Sequence, residues 1–157
     1  VTWGAAYAGG RPGLSLSSLR FQRCRFESGA FAGTHLAAVQ LVDAMFSGAS
    51  LDVSNFDHVR FLRSGPRAAA TIVLSDIVNR GAPPPAGVDD LSAPTDQVSF
   101  EGVAFEGVHF RGWIRPEWFR GCSFTRSVLP RSLSPEALAA GHNTVTGCLW
   151  SDEPLAP

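Results

Sequence analysis

Lysine is absent from this chain: all thirteen basic residues are arginine. Fourteen acidic residues oppose them and leave a net charge of −1. With neither sign in excess, bulk charge selects neither a polyanion binder nor a polyanion mimic. The bias toward arginine reads as coding composition rather than as a demand for bidentate anion contacts. No run reaches the ~20 apolar residues that a membrane-spanning helix needs. Residues 1–13 lack a basic stretch followed by an apolar one, so no signal peptide is expected. The start at Val1 rather than Met is compatible with a segment of a longer protein. Cysteine is scarce and odd in number. Cys24, Cys122 and Cys148 lie far apart, which argues against a disulfide framework and a zinc site and points to a reducing compartment. Bacterial cytoplasm is the expected location, with a secreted effector as the alternative.

Motifs that carry chemistry are missing as well. The sequence holds no GxGxxG, no P-loop, no HExxH and no nucleophile elbow. His35, His58, His109 and His142 show no ligand spacing and read as surface residues. Cofactors, metal ligands and catalytic residues are therefore all expected to be none, and the chain is not read as an enzyme.

What is present is a period of five. Leu16, Phe21, Phe26, Phe31, Leu36, Leu41, Phe46, Leu51, Phe56 and Phe61 are ten consecutive positions, each five apart. At a preset phase, chance gives such a run of Leu or Phe with odds of roughly one in a hundred million. Phe100, Phe105 and Phe110 form a second run, and Phe119, Phe124 and Leu129 a third. All eleven phenylalanines fall on these centres. A helix repeats every 3.6 residues and a strand every 2, so a fixed period of five marks a stacked repeat array. Two residues before each centre stands a small or modestly apolar residue, such as Val39, Ala44, Ala49, Val98 or Val103. Both positions face one side of an extended backbone, and the other three residues of each unit face out. Cys24 and Cys122 fall at the small inward position and read as packing residues.

Segments such as Ala49–Val53 and Ser54–His58 resemble the pentapeptide-repeat family. The resemblance covers about residues 14–63 and 96–131. It implies an all-β, right-handed four-sided β-helix with four units per coil, and a single domain over 1–157. Residues twenty apart then stack, so Phe21, Leu41 and Phe61 share a column, as do Phe26 and Phe46, and Phe31 and Leu51. The nine-residue step from Phe110 to Phe119 predicts a distorted corner near Trp113–Trp118.

Residues 64–97 carry no repeat and read as an insertion. Pro66–Arg80 reads as a helix, with Pro66 in the first turn, an apolar stripe of Ile72, Val73, Ile77 and Val78, and Gly81 as the stop. The insertion is either an arm that meets a partner or a lid packed on the coil wall, and packing of its stripe is preferred. A cap is expected over 132–157, with a short helix starting at Ser134–Pro135 and a closing strand over 143–150.

One outer face stands out. Arg20, Gln40 and Arg60 align, as do Gln22, Val42 and Leu62, and Arg23, Asp43 and Arg63. The candidate partner surface is therefore Arg20, Arg23, Val42, Asp43, Arg60, Leu62 and Arg63. It is read as an exposed apolar pair beside an exposed charge column, whose pairs are each worth under about 1 kcal/mol. The expected function is a non-catalytic protein–protein interaction scaffold. The resemblance implies two alternatives: a gyrase-binding, topoisomerase-protecting protein, and a targeting domain of a larger bacterial effector enzyme. The partner is expected to be a protein. Direct readout of nucleic acid and a membrane span are not expected, and a homodimer is compatible with the pattern.

Overall fold

A large apolar residue every fifth position, with a small one two before it, requires a backbone that turns two side chains of each five inward and then bends. The computed structural model, which describes residues 15–27, 34–81 and 97–152, meets this with strands of mostly three residues. Among the described residues the strands line four sheets, and every pairing is parallel. The first face has three strands, Ser15–Ser17, His35–Ala37 and Phe56–Asp57. The second has five: Arg20–Gln22, Gln40–Val42, Val59–Leu62, Val98–Glu101 and Phe119–Arg120. The third has six: Arg25–Glu27, Met45–Ser47, Thr71–Val73, Ala104–Glu106, Ser123–Thr125 and Thr144–Thr146. The fourth has five: Ser50–Asp52, Asp76–Asn79, His109–Gly112, Val128–Leu129 and Leu149–Trp150. This is a four-sided β-helix, and along its third face the coils span about 24 Å at ~4.8 Å per strand.

The twenty-residue coil holds where the first run lies. Phe21 pairs with Leu41 and Leu41 with Phe61, while Phe26 pairs with Phe46. Phe31 lies outside the described residues, and with it the expected Phe31–Leu51 pairing. Ring stacking runs along the axis, at 4.7 Å for Phe26 and Phe46, 4.6 Å for Phe61 and Phe100, and 5.2 Å for Phe100 and Phe119. The small inward positions Val39, Ala44, Ala49, Val59, Val98, Val103 and Val108 are all buried. At two of these positions a serine bridges coils. Ser75 Oγ donates to Val73 O and accepts from Ala49 N, and Ser127 Oγ does the same between Thr125 O and Val108 N.

The corners explain the period. Two residues past the centre the backbone takes positive φ, at Ser18, Arg23, Ala38, Asp43, His58, Leu74 and Arg126, with φ between 46° and 55°. Gly48, Gly102, Gly107, Gly112, Gly121 and Gly147 occupy the same position. An L-residue there costs roughly 1–2 kcal/mol. The cost is offset because the corner N–H bonds the next coil, as in Arg23 N to Val42 O at 2.9 Å and Asp43 N to Leu62 O at 2.8 Å.

The helix expected over Pro66–Arg80 does not form. Thr71–Val73 and Asp76–Asn79 are strands of the third and fourth faces. Ile72 pairs with Phe46 and Phe105, and Ile77 with Leu51 and Phe110, so both are centres five apart. The expected apolar stripe is this pair of units: Ile72 and Ile77 point inward with Ala70 and Ser75 as their small partners. Pro66 is the second residue of a turn in which Ala68 N donates to Gly65 O. The expected insertion 64–97 is therefore two repeat units flanked by a six-residue excursion over residues 64–69 and by a segment of which 82–96 lie outside the described residues.

The corner at 113–118 is distorted as expected. Pro116–Trp118 forms a 3-10 turn, and Phe119 pairs with Phe100, nineteen residues earlier. Glu117 faces out while Ile114 and Trp118 fill the inside. At the C-terminal end a helix over Pro135–Ala140 is capped by Ser134 Oγ, which accepts from Ala137 N. The expected closing strand is two strands on two faces, Thr144–Thr146 and Leu149–Trp150.

Phe46 is 2% exposed and sits between Phe26 and Ile72 in one column. Phe46→Ala is expected to destabilise by about 3–5 kcal/mol, because the stacked coils hold the cavity open. Urea denaturation checks this, and a loss under about 1 kcal/mol contradicts the column.

Candidate functional site

The site grows from a corner that breaks the rule. After Leu62 the chain does not pass straight to the next unit. It leaves the wall between the second and third faces, makes the excursion over residues 64–69, and returns at Ala70, which is buried. Three contacts fix the excursion. Asp43 accepts from Ser64 N through Oδ1 at 2.8 Å and from Ser64 Oγ through Oδ2 at 2.6 Å. Arg63 donates from Nε to Gly65 O at 2.9 Å and from its guanidinium to Pro66 O. The Gly65–Ala68 turn closes with Ala68 N donating to Gly65 O at 3.0 Å.

Between this loop and the coil wall lies a groove of about 640 Å³. Cys24, Met45, Pro66, Ala68 and Ala69 give it apolar walls, and Arg23, Arg25 and Arg67 stand along it. Arg25 pairs with Glu27 at 2.7 Å. The Asp43 carboxyl lies below the ordinary carboxylate range. The Ser64 hydroxyl bond is the main cause, followed by the Ser64 amide, with Arg23 and Arg63 nearby adding to it.

The residues singled out in the sequence are divided by this geometry. Arg20 and Arg60 flank Gln40 in register on the second face, and Arg60 reaches Glu101 at 3.5 Å. Arg23 and Asp43 line the groove, and Arg63 braces its loop. Two expectations fail. Val42 is 3% exposed, so Val42 and Leu62 do not form an exposed pair, and Leu62 is only half-buried. Asp43 is 6% exposed and is spent on Ser64, so it is no free member of a charge column. The excursion accounts for Asp43, whose two oxygens both accept from its first residue, Ser64. Ser64, Arg67 and Met45 belong to the site and carry no repeat signal. The one sequence cue for them is the six-residue lengthening of the step between centres, visible once Ile72 is read as one.

Elsewhere, burial pushes the Cys122 thiol up to about 11, and its Sγ donates to Phe100 O at 3.2 Å. It is a packing residue that stays protonated at neutral pH. Arg115 is buried with its guanidinium 5.2 Å from the Trp113 ring and 3.7 Å from Glu117. Among the described residues no group of three His, Cys, Asp or Glu has metal-binding geometry, and no helix is long and apolar enough to cross a membrane.

No protein-family model matches the chain, and no curated protein matches it. Among solved structures, a trypsin-treated variant of QnrB1, described as a plasmid-mediated fluoroquinolone resistance protein, aligns at 14% identity with a TM-score of 0.21. The alignment covers 88% of this chain and 90% of that one. A superposition this loose carries no argument about fold or function.

The Asp43–Ser64 clamp makes stability depend on pH. The folded carboxyl titrates below the unfolded value of about 3.9. Its contribution is complete above about pH 4 and is lost as pH falls through the folded pKa. Asp43→Asn is expected to cost about 1–2 kcal/mol at pH 7. Thermal melts of both proteins across pH 3–7 check the sign, since the gap between them should close toward the acid end.

Proposed function

We propose that the chain is a non-catalytic scaffold for protein–protein contact, of the pentapeptide-repeat type. The observation that carries this reading is the clamped excursion over residues 64–69. A rod most of whose corners are bonded to the next coil lends that loop a rigid base, and loops on rigid scaffolds are where recognition concentrates. Its three fastenings hold it in one shape before any partner arrives, which lowers the ordering cost of binding. The inward pairs at i−2 and i support the pentapeptide-repeat resemblance in the same way. The buried, protonated Cys122 supports packing rather than nucleophilic chemistry at that unit.

Removing residues 64–69 joins Arg63 to Ala70 and restores a five-residue step from Phe61 to Ile72. The shortened chain is therefore expected to fold, with a circular dichroism spectrum like that of the full chain. Affinity capture with the full chain immobilised is expected to retain a discrete protein, and the shortened chain is expected to lose it. A full chain that retains no protein defeats the scaffold reading. Equal retention by both chains moves the contact off the loop.

A further inference from the structure

The groove beneath the excursion has a composition that selects its occupant. We propose that it docks an extended acidic segment of a partner protein that carries an apolar side chain between its carboxylates. The proposal rests on the scaffold reading and names the partner chemistry for it.

Charge comes first. The groove is lined by three arginines against one aspartate, and both oxygens of that aspartate already accept from Ser64. Arg25 is engaged by Glu27. The side chains of Arg23 and Arg67 are exposed and make no ion pair or hydrogen bond among the described residues. Two guanidinium groups therefore stand ready for carboxylates, which they meet with forked donors.

The floor adds the second requirement. Met45 is 38% exposed although it sits on a strand flanked by buried Ala44 and Phe46. Beside it lie half-buried Cys24 and the apolar atoms of Pro66 and Ala68. A thioether adapts to the shape of an inserted side chain, which suits it to a docking floor. Free acid alone leaves this floor wet, and an apolar segment alone leaves the arginines unmet. An acidic segment with an apolar anchor satisfies both.

Nucleic acid fits less well. Single strands are held by exposed aromatic rings alternating with basic groups. No aromatic residue lines this groove, and the phenylalanines of the described array point into the coil. The groove is also preformed. Ser64, Arg63 and the Gly65–Ala68 turn fix one wall, and the β-ladder fixes the other.

The test uses the full chain and a fluorescein-labelled octapeptide that repeats two aspartates and one leucine, read by fluorescence anisotropy. Saturable binding that weakens as salt rises is expected. Arg23→Glu with Arg67→Glu is expected to weaken it at least about tenfold. The charge-matched pair Arg120→Glu with Arg131→Glu, exposed and away from the groove, should leave it unchanged. Met45→Asp should weaken it about fivefold while the melting curve stays put, since the side chain is exposed. The same peptide with asparagine for aspartate should bind at least about tenfold more weakly. Absence of binding, or equal binding by the Arg23/Arg67 double variant and the full chain, overturns the proposal. So does a twelve-nucleotide single strand that binds more tightly than the peptide through the same two arginines. Partner capture that survives the double variant leaves the scaffold reading standing and this groove assignment fallen. Peptide binding with no captured protein does the reverse.

Discussion

Every other feature of this molecule depends on one repeated bond. Two residues past most centres the chain takes a left-handed turn, and at most of these corners the amide donates to the next coil. The turn is unfavourable for any residue with a β-carbon. It persists because it lets a chain of five-residue units bend from one face to the next within its unit; after Leu51 a 3-10 turn over Val53–Asn55 does the same work. The bond also fixes the vertical spacing, so inward residues land on inward residues and the phenylalanine rings stack at 4.6–5.2 Å. Local backbone strain is exchanged for an axial ladder and a column of rings, and neither forms without the other.

This constraint also decides where extra residues can go. A single residue added within a strand turns every later side chain to the opposite face. A corner has no such parity to protect, provided the chain re-enters at a small inward residue. The excursion over residues 64–69 obeys this, leaving after Arg63 and returning at buried Ala70. The short coil between Phe100 and Phe119 loses its residue at a corner too, where Ile114 and Trp118 replace the missing inward pair. Asp43 is itself a corner residue, with φ of 53°, which aims its carboxylate along the wall toward Ser64. The clamp of the groove is thus an outgrowth of the repeat geometry.

The four-sided fold was legible because phenylalanine marks one position and nothing else. It is illegible over Pro66–Arg80 because isoleucine, not leucine or phenylalanine, stands at the centres there. Ile72 and Ile77, like Val73 and Val78, stand five apart, the period of the array, but Val73 and Ile77 stand four apart and so share a helix face. Their chemistry argued otherwise: Thr71, Ile72, Val73, Ile77 and Val78 are β-branched and favour strands. Ala70 and Ser75 supplied the small residue two before each centre. The partner face was half legible. Register placed Arg20, Gln40 and Arg60 in one column correctly. Burial of Val42 and Asp43 was not legible, since period five says which way a side chain points and not what folds back over it.

The absence of lysine, which reads in the sequence as coding bias, has a consequence at this one place. Arg63 holds the excursion by donating to two successive backbone carbonyls, Gly65 O from Nε and Pro66 O from its guanidinium. A planar fork does this with one ordered side chain, whereas an ammonium presents its donors from a single point on a flexible stem. The same planarity lets Arg115 lie buried against the Trp113 ring. Composition need not have been selected for either contact. Once arginine is the only base available, a corner loop braced through a fork becomes an easy solution. The guanidiniums left over along its rim, Arg23 and Arg67, give the groove its sign.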